Sequence, residues 1–146
     1  MPCLSGRYIK AIGPIITLGI AAPGTVAAHV AQGNPPSALQ VKGFQALIDT
    51  GATATSISPL IAAQLGLTPV GKATVTSATQ TAPVNTYIVD LVLPFGPAGL
   101  AKPSQLVIEF PSATAPGGPY QALLGRDIIC DGNFTLSFDG HFTFSI

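Results

Sequence analysis

Ala46-Leu47-Ile48-Asp49-Thr50-Gly51-Ala52 drives an apolar run straight into a carboxylate and a tight turn. The chain of 146 residues holds only six acidic side chains: Asp49, Asp90, Glu109, Asp127, Asp131 and Asp139. Asp49 is the one with hydrophobic residues before it and small residues after it. A carboxylate at the end of an apolar strand loses hydration and must be hydrogen-bonded or paired. Sites of that kind are where carboxylates are tuned for chemistry.

The segments around this motif carry clear punctuation. Residues 38–48 are expected to be a strand region bent at Gly43, and 53–57 return to extended structure. Residues 58–66 have the marks of a short helix. Ser58 suits the N-cap, Pro59 the first helical position, and Gly66 the left-handed position after the last turn. Leu60, Ala63 and Leu65 are expected to cover the core. Further upstream, 15–20 is a strand, 21–36 a long Gly/Pro/Ala-rich loop, and 1–10 an irregular arm.

Downstream, 72–93 form a long hairpin with its tip near 78–82. Two loops rich in Pro and Gly, 94–103 and 111–119, flank a strand over 105–110. Residues 120–124 form a strand ending at Gly125, and 126–130 start a helical turn. The chain closes with alternating apolar residues around Asp139-Gly140, a strong hairpin signal. Phe134, Phe138, Phe142 and Phe144 all lie in that hairpin, so it needs a cover, and a partner subunit is a candidate.

Composition narrows the functional classes. One domain over 1–146 fits this length, with an arm, strand and loop over 1–37 and the motif-bearing core over 38–146. Fourteen prolines and sixteen glycines among many β-formers point to short strands and many turns. The net charge is zero and 8% of residues are charged, so no basic patch exists for nucleic acid. Cys3 and Cys130 make no disulfide framework. Both are expected as free thiols in a reducing compartment, with Cys130 buried as a small apolar residue.

Residues 11–32 are apolar, but Pro14, Pro23, Gly13, Gly19 and Gly24 break the run, which argues against a spanning helix. Arg7 and Lys10 before it, with Val26-Ala27-Ala28 as a cleavage-like site, leave a signal peptide as the alternative. The strand reading is preferred, since cleavage there would remove a strand, and the expected location is cytoplasmic.

Other chemistries fit less well. Cys3, His29, Cys130 and His141 lack the close spacing of zinc ligands, so no metal is expected. Ser56 and Ser58 have no histidine nearby to activate them. Gly117-Gly118 sits in a Pro-rich loop unlike a phosphate cradle. Asn133-Phe134-Thr135 matches a glycosylation acceptor but borders an apolar strand without a convincing export signal.

The second informative motif is Leu123-Leu124-Gly125-Arg126-Asp127. Together with Leu47-Ile48-Asp49-Thr50-Gly51-Ala52, it resembles the signature of the retropepsin-like aspartic proteases, the single-domain relatives of the pepsins. The likeness runs from about Gln40 to the C-terminus and is closer to cellular and bacterial members than to viral ones. It implies an all-β fold: a closed acid-protease β-barrel with one or two short helices, working as a homodimer. It also implies an aspartic endopeptidase acting on extended peptide or unfolded protein, without cofactor.

The chemistry needs two carboxylates around one water, titrating as a coupled pair. This chain has one Asp-Thr-Gly and is too short for two lobes, so the second carboxylate is expected from Asp49 of another subunit. By resemblance, Asp49, Thr50 and Gly51 are catalytic. Thr50 locks the two loops across the dimer axis, and Gly51 admits substrate backbone. Ala52, Ser77, Ala78, Thr79, Gln80 and Leu124 are expected to touch substrate, with 77–81 as the flap. Leu123, Gly125, Arg126 and Asp127 support the loop.

Three departures from the family pattern stand out. The flap tip lacks glycine. Thr53 replaces the acid that pairs with the later Arg in viral members, leaving Arg126 to find Asp127 or a carboxylate of the other subunit. The two Pro/Gly loops lengthen the gap between the motifs. The cleft is expected to be apolar, lined by Ile57, Val84, Ile88 and Leu124. The alternative function is a catalytically weak dimeric module that binds peptide or scaffolds an assembly.

Overall fold

The computed structural model describes residues 2–76, 81–110 and 118–146. Strands β1 (Cys3–Arg7) and β2 (Ile15–Ala21) come first, followed by helix α1 (Thr25–Ala31) and a 3-10 turn at Pro36–Ala38. Then come β3 (Gly43–Ile48), β4 (Ser56–Ile57), α2 (Pro59–Gln64), β5 (Gly71–Thr76), β6 (Thr81–Leu93) and β7 (Leu100–Glu109). The chain ends with β8 (Ala122–Leu124), α3 (Arg126–Ile129), β9 (Asn133–Leu136) and β10 (His141–Ser145).

One sheet runs in the order β2-β3-β8-β4-β7-β6-β5, and β2 also pairs with β6 through Gly19↔Val92 and Ala21↔Asp90. That second pairing closes six strands into a barrel and leaves β5 as an outer strand on β6. The core lies inside. Leu18, Ile20, Ala46, Ile57, Val89, Leu91, Leu93, Val107, Ala122 and Leu124 are all fully buried there. Their alternation along each strand puts one face inward, as the period of two requires.

The second sheet, β1-β10-β9, packs on the barrel through phenylalanines. Phe144 meets Phe95 edge-on with ring centroids 5.2 Å apart, and Phe134 stands 6.1 Å from Phe144. The cover expected from a partner for Phe142 and Phe144 is therefore supplied by the chain itself. Leu136 and Phe138 remain outside, Phe138 at 90% exposure.

Several local expectations are corrected. The arm contains β1, paired along its length with β10. Gly6 in that strand faces the Phe142 ring, and a short strand containing glycine carries little β signal. The expected loop 21–36 holds α1, so the described residues form three short α-helices rather than one or two. None of the residues in α1 is buried, so no apolar periodicity marks it.

What holds α1 is Asp90. A bulge between Val89 and Leu91 breaks the β6–β7 register and turns this fully buried carboxylate to one side. It accepts the Val26 N–H of α1 at 2.8 Å and the Ser104 N–H at 2.9 Å.

Helix α2 starts and stops as the sequence predicts. Ser58 Oγ accepts the Ile61 N–H, and Gly66 sits at φ +62°. The buried face is different, however: Ile61 and Ala62 point inward, while Leu60 is 70% exposed. Ile61 and Leu65, spaced by four, share the helix face that packs on the core. Cys130 is exposed, not buried, because it follows the last turn of α3 whose Ile128 and Ile129 take the core positions.

Candidate active site

Two parallel strands end side by side at the barrel rim. β3 pairs with β8 through Ile48↔Leu124, and the Asp49 N–H continues the ladder to the Leu124 carbonyl at 2.9 Å. Asp49 is thus the first residue past a rigid strand. The chain then turns, with the Ala52 N–H donating to the Asp49 carbonyl at 3.2 Å. Inside that turn the Gly51 N–H donates to Asp49 Oδ1 at 2.9 Å. A backbone donor of this kind orients the carboxylate. Asp49 is half-buried, and its Oδ2 has no partner among the described residues.

The later motif clamps the loop from below. The Arg126 N–H donates to the Ala52 carbonyl at 2.9 Å and the Asp127 N–H to the Thr53 carbonyl at 3.3 Å. Gly125 is required by close approach. A Cβ there would lie 2.5 Å from the Ala54 carbonyl carbon and 2.8 Å from the Thr55 nitrogen, both backbone atoms. Thr55 is fully buried. Its Oγ1 donates to Asp127 at 2.8 Å and accepts the Gly125 N–H at 3.1 Å, while its own N–H donates to both Asp127 oxygens at 3.0 Å.

Arg126 does not pair with Asp127, as the sequence left open. Its guanidinium donates to the Thr50 carbonyl at 2.9 Å and to Thr53 Oγ1 at 3.3 Å. A threonine hydroxyl and a backbone carbonyl take the place of the expected carboxylate. Asp127 serves Thr55 instead, so neither side chain is free for the other.

The cleft differs in its lining. A cavity of about 530 Å³ opens between the Asp-Thr-Gly loop and β5, lined by Gly51, Ala52, Thr53, Val75, Ile108 and Leu123 among others. Ile57 and Leu124, expected in the cleft, are fully buried core residues. Leu123 faces the cavity because neighbouring strand residues point to opposite faces. Val84 is also buried, and Ile88 pairs with exposed Leu106 on the outside. Ser77, Ala78, Thr79 and Gln80, expected at the flap tip, lie outside the described residues. The hairpin beneath them is present, with β5 and β6 paired from Gly71↔Thr86 to Thr76↔Thr81.

The remaining carboxylates are all engaged. Asp90 holds α1 and Ser104, and Asp127 holds Thr55. Glu109 accepts the Tyr87 hydroxyl at 2.6 Å, and Asp131 meets Lys102 at 2.6 Å. Asp139 meets the His141 ring at 3.2 Å, and that hydrogen bond holds its carboxyl below the usual range. Among the described residues no three His, Cys, Asp or Glu side chains converge as metal ligands. Asp49 stands two residues before Gly51, the first residue of the loop that lines the cavity, and keeps one oxygen without a partner among the described residues.

A closed β-barrel carrying a single Asp-Thr-Gly loop, clamped by a Gly-Arg-Asp turn, is the retropepsin-like fold with one lobe per chain. Residues 21–128 match the family described as Aspartyl protease, which is most of the sequence, and the chain belongs to that family. Solved structures agree on the fold. A retropepsin-like aspartic protease from Rickettsia conorii is similar over 97% of this chain and 89% of its own, with TM-score 0.61 and 12% identity. The EIAV protease, in complex with the inhibitor HBY-793, is similar over 86% of this chain and 93% of its own, with TM-score 0.51 and 16% identity. No curated protein sequence matches this one significantly.

Proposed function

We propose that the protein is an aspartic endopeptidase that works as a homodimer and cuts extended polypeptide. The observation that carries this reading is the placement of Asp49: the other five acids hold distant side chains or backbone, and Asp49 alone sits in the Asp-Thr-Gly turn whose Gly51 and Ala52 line the cavity. One Asp cannot both take a proton from water and give one to the scissile carbonyl. Two Asp49 side chains facing each other across a two-fold axis can, sharing one proton because like charges so close cannot both ionise.

In that arrangement the ionised Asp49 takes a proton from the bound water as its oxygen attacks the carbonyl carbon. The protonated Asp49 of the second subunit donates to the carbonyl oxygen. A proton then passes to the amine nitrogen as the C–N bond breaks. The Gly51 N–H fixes each carboxylate, and the Arg126 and Asp127 clamps keep the loop from yielding to repulsion between the pair.

The outer edge of β9 supports a second copy as the partner. It has no neighbour in the sheet among the described strands, carries no charge, and ends beside exposed Leu136 and Phe138. Such an edge is a template for pairing. Cys3 and Cys130 are exposed free thiols, which supports a reducing, cytoplasmic setting.

The test is digestion of a mixed peptide library from mildly acidic to neutral pH by wild type and Asp49→Asn. Cuts are expected from wild type only. Cuts that survive the substitution would place the chemistry elsewhere. A dimer that retains peptides without cutting them would favour the peptide-binding alternative.

A further inference from the structure

Arg126 reaches the cavity rim with its charge uncompensated. The side chain is exposed, and its guanidinium donates to the Thr50 carbonyl and to the hydroxyl of Thr53, a residue that lines the cavity. Both acceptors are neutral. Residues 50–89 and 110–126, which supply all of the cavity lining but Ile108, hold no Asp or Glu. The acids outside these segments are placed otherwise. Asp127 accepts from Thr55, Glu109 from Tyr87 and Asp49 from Gly51, while Asp90 holds α1. Asp131 and Asp139 pair with Lys102 and His141, and these are the ion pairs among the described residues.

The guanidinium also has donors to spare. Of its five N–H groups, Thr50 and Thr53 take two, and the others have no acceptor among the described residues. Thr53 Oγ1 accepts from Arg126, so its own proton is left to donate. The charge behind it polarises that hydroxyl and makes it a stronger donor.

From this we infer that Arg126, acting with Thr53, is a specificity-determining residue that selects substrate carrying a carboxylate beside the cavity. The inference rests on the peptidase reading and goes further by naming the charge the cleft prefers. A carboxylate there accepts from the Thr53 hydroxyl and from the spare guanidinium N–H groups, bonds stronger than those to a neutral amide. A lysine or arginine at the same place meets like charge. The carboxylate comes from an Asp or Glu side chain within the bound segment or from the C-terminus of a short peptide.

The experiment uses a proteome-derived peptide library, once with free and once with amidated C-termini, and mass spectrometry of the cut sites near neutral pH. Wild type is expected to enrich a carboxylate about three- to tenfold at one position, the scale of a charge-assisted contact that is partly exposed. The enrichment is expected to shrink at high salt. Enrichment of Asp and Glu in both libraries assigns the side-chain source, and enrichment that vanishes on amidation assigns the C-terminus. Thr53→Asp gives the guanidinium a carboxylate within the chain, and Arg126→Gln removes the charge while keeping a donor. Each is expected to bring the enrichment to about one, a ratio read within each variant whatever its overall rate.

Carboxylates at library frequency in wild type would overturn the inference, as would enrichment that persists in both variants. Absent enrichment together with a dimer lost in Arg126→Gln would mean that the partner subunit occupies the guanidinium instead. Immobilised Asp49→Asn protein is exposed to the same libraries. Carboxylate-enriched peptides retained there, with no cuts by wild type, would uphold the selection and sink the peptidase reading. No cuts and no retained peptides would sink both.

Discussion

Thr55 Oγ1 donates to Asp127 and accepts from Gly125, so one buried hydroxyl ties the two motif segments together. Asp127 was expected as a supporting residue, with Thr55 not named as its partner: Thr55 lies 72 positions away, and only the barrel brings them together. The same holds for Arg126. The Thr53 departure was visible, yet nothing in the sequence said that a hydroxyl and the Thr50 carbonyl would replace the missing acid.

Truncating Asp127 leaves two buried donors of Thr55 unsatisfied. Asp127→Ala is expected to cost about 1–3 kcal/mol in chemical denaturation, the penalty for stranded buried polar groups. Asp127→Asn keeps an acceptor and is expected to cost less. Equal stability of wild type and Asp127→Ala would show that this clamp is not what holds the loop.

At the level of elements, strands with strong alternation and helices with caps were legible, while elements held by distant partners were not. Helix α2 has a cap, a leading proline and a closing glycine, all local signals. Its buried face was misread, since Ile61 and Leu65 share the side that packs on the core and Leu60 is exposed. Helix α1 has no buried residue and exists because Asp90, displaced by the β6 bulge, accepts from its first turn. The root of the β5–β6 hairpin is joined to β7 in the same way, by the Tyr87 hydroxyl on Glu109 with Asn85 alongside.

That hydrogen bond gives a pH prediction. Burial, and then the neighbouring Glu109, push the Tyr87 hydroxyl above its usual value of 10.0. The folded state therefore keeps this proton when the unfolded chain has lost it. The stability this contributes is full below about pH 10 and falls as pH rises from there through the folded value. Tyr87→Phe is expected to lose the neutral-pH hydrogen bond but to show a flatter alkaline limb in melting curves. An alkaline limb as steep as that of wild type would mean that another group sets it.

For the molecule as a whole, the β class and the Asp-Thr-Gly turn at the strand end were legible, because they depend on local pattern and one motif pair. A closed barrel was implied by the family resemblance, but that β2 and β6 close it and that β1 joins the terminal hairpin were not legible. Both are pairings between distant segments that carry no local mark. The aromatic terminal hairpin was read as waiting for a partner, whereas one face is satisfied within the chain and the β9 edge with Phe138 is what remains open. Phe138→Asp, at a 90% exposed position, is expected to leave monomer stability within about 0.5 kcal/mol. It is expected to shift sedimentation toward monomer and reduce cleavage in proportion to dimer lost. A variant that stays fully dimeric would move the interface away from this edge.

In the proposed dimer, one active site takes an Asp49 from each of two subunits. The most direct test is to refold wild type with increasing fractions of Asp49→Asn and measure peptide cleavage at constant total protein. If both carboxylates are needed, only all-wild-type dimers cut, and an equal mixture retains about a quarter of the activity. Activity that falls linearly, to about half in an equal mixture, would show that each chain carries a complete site and would contradict the account.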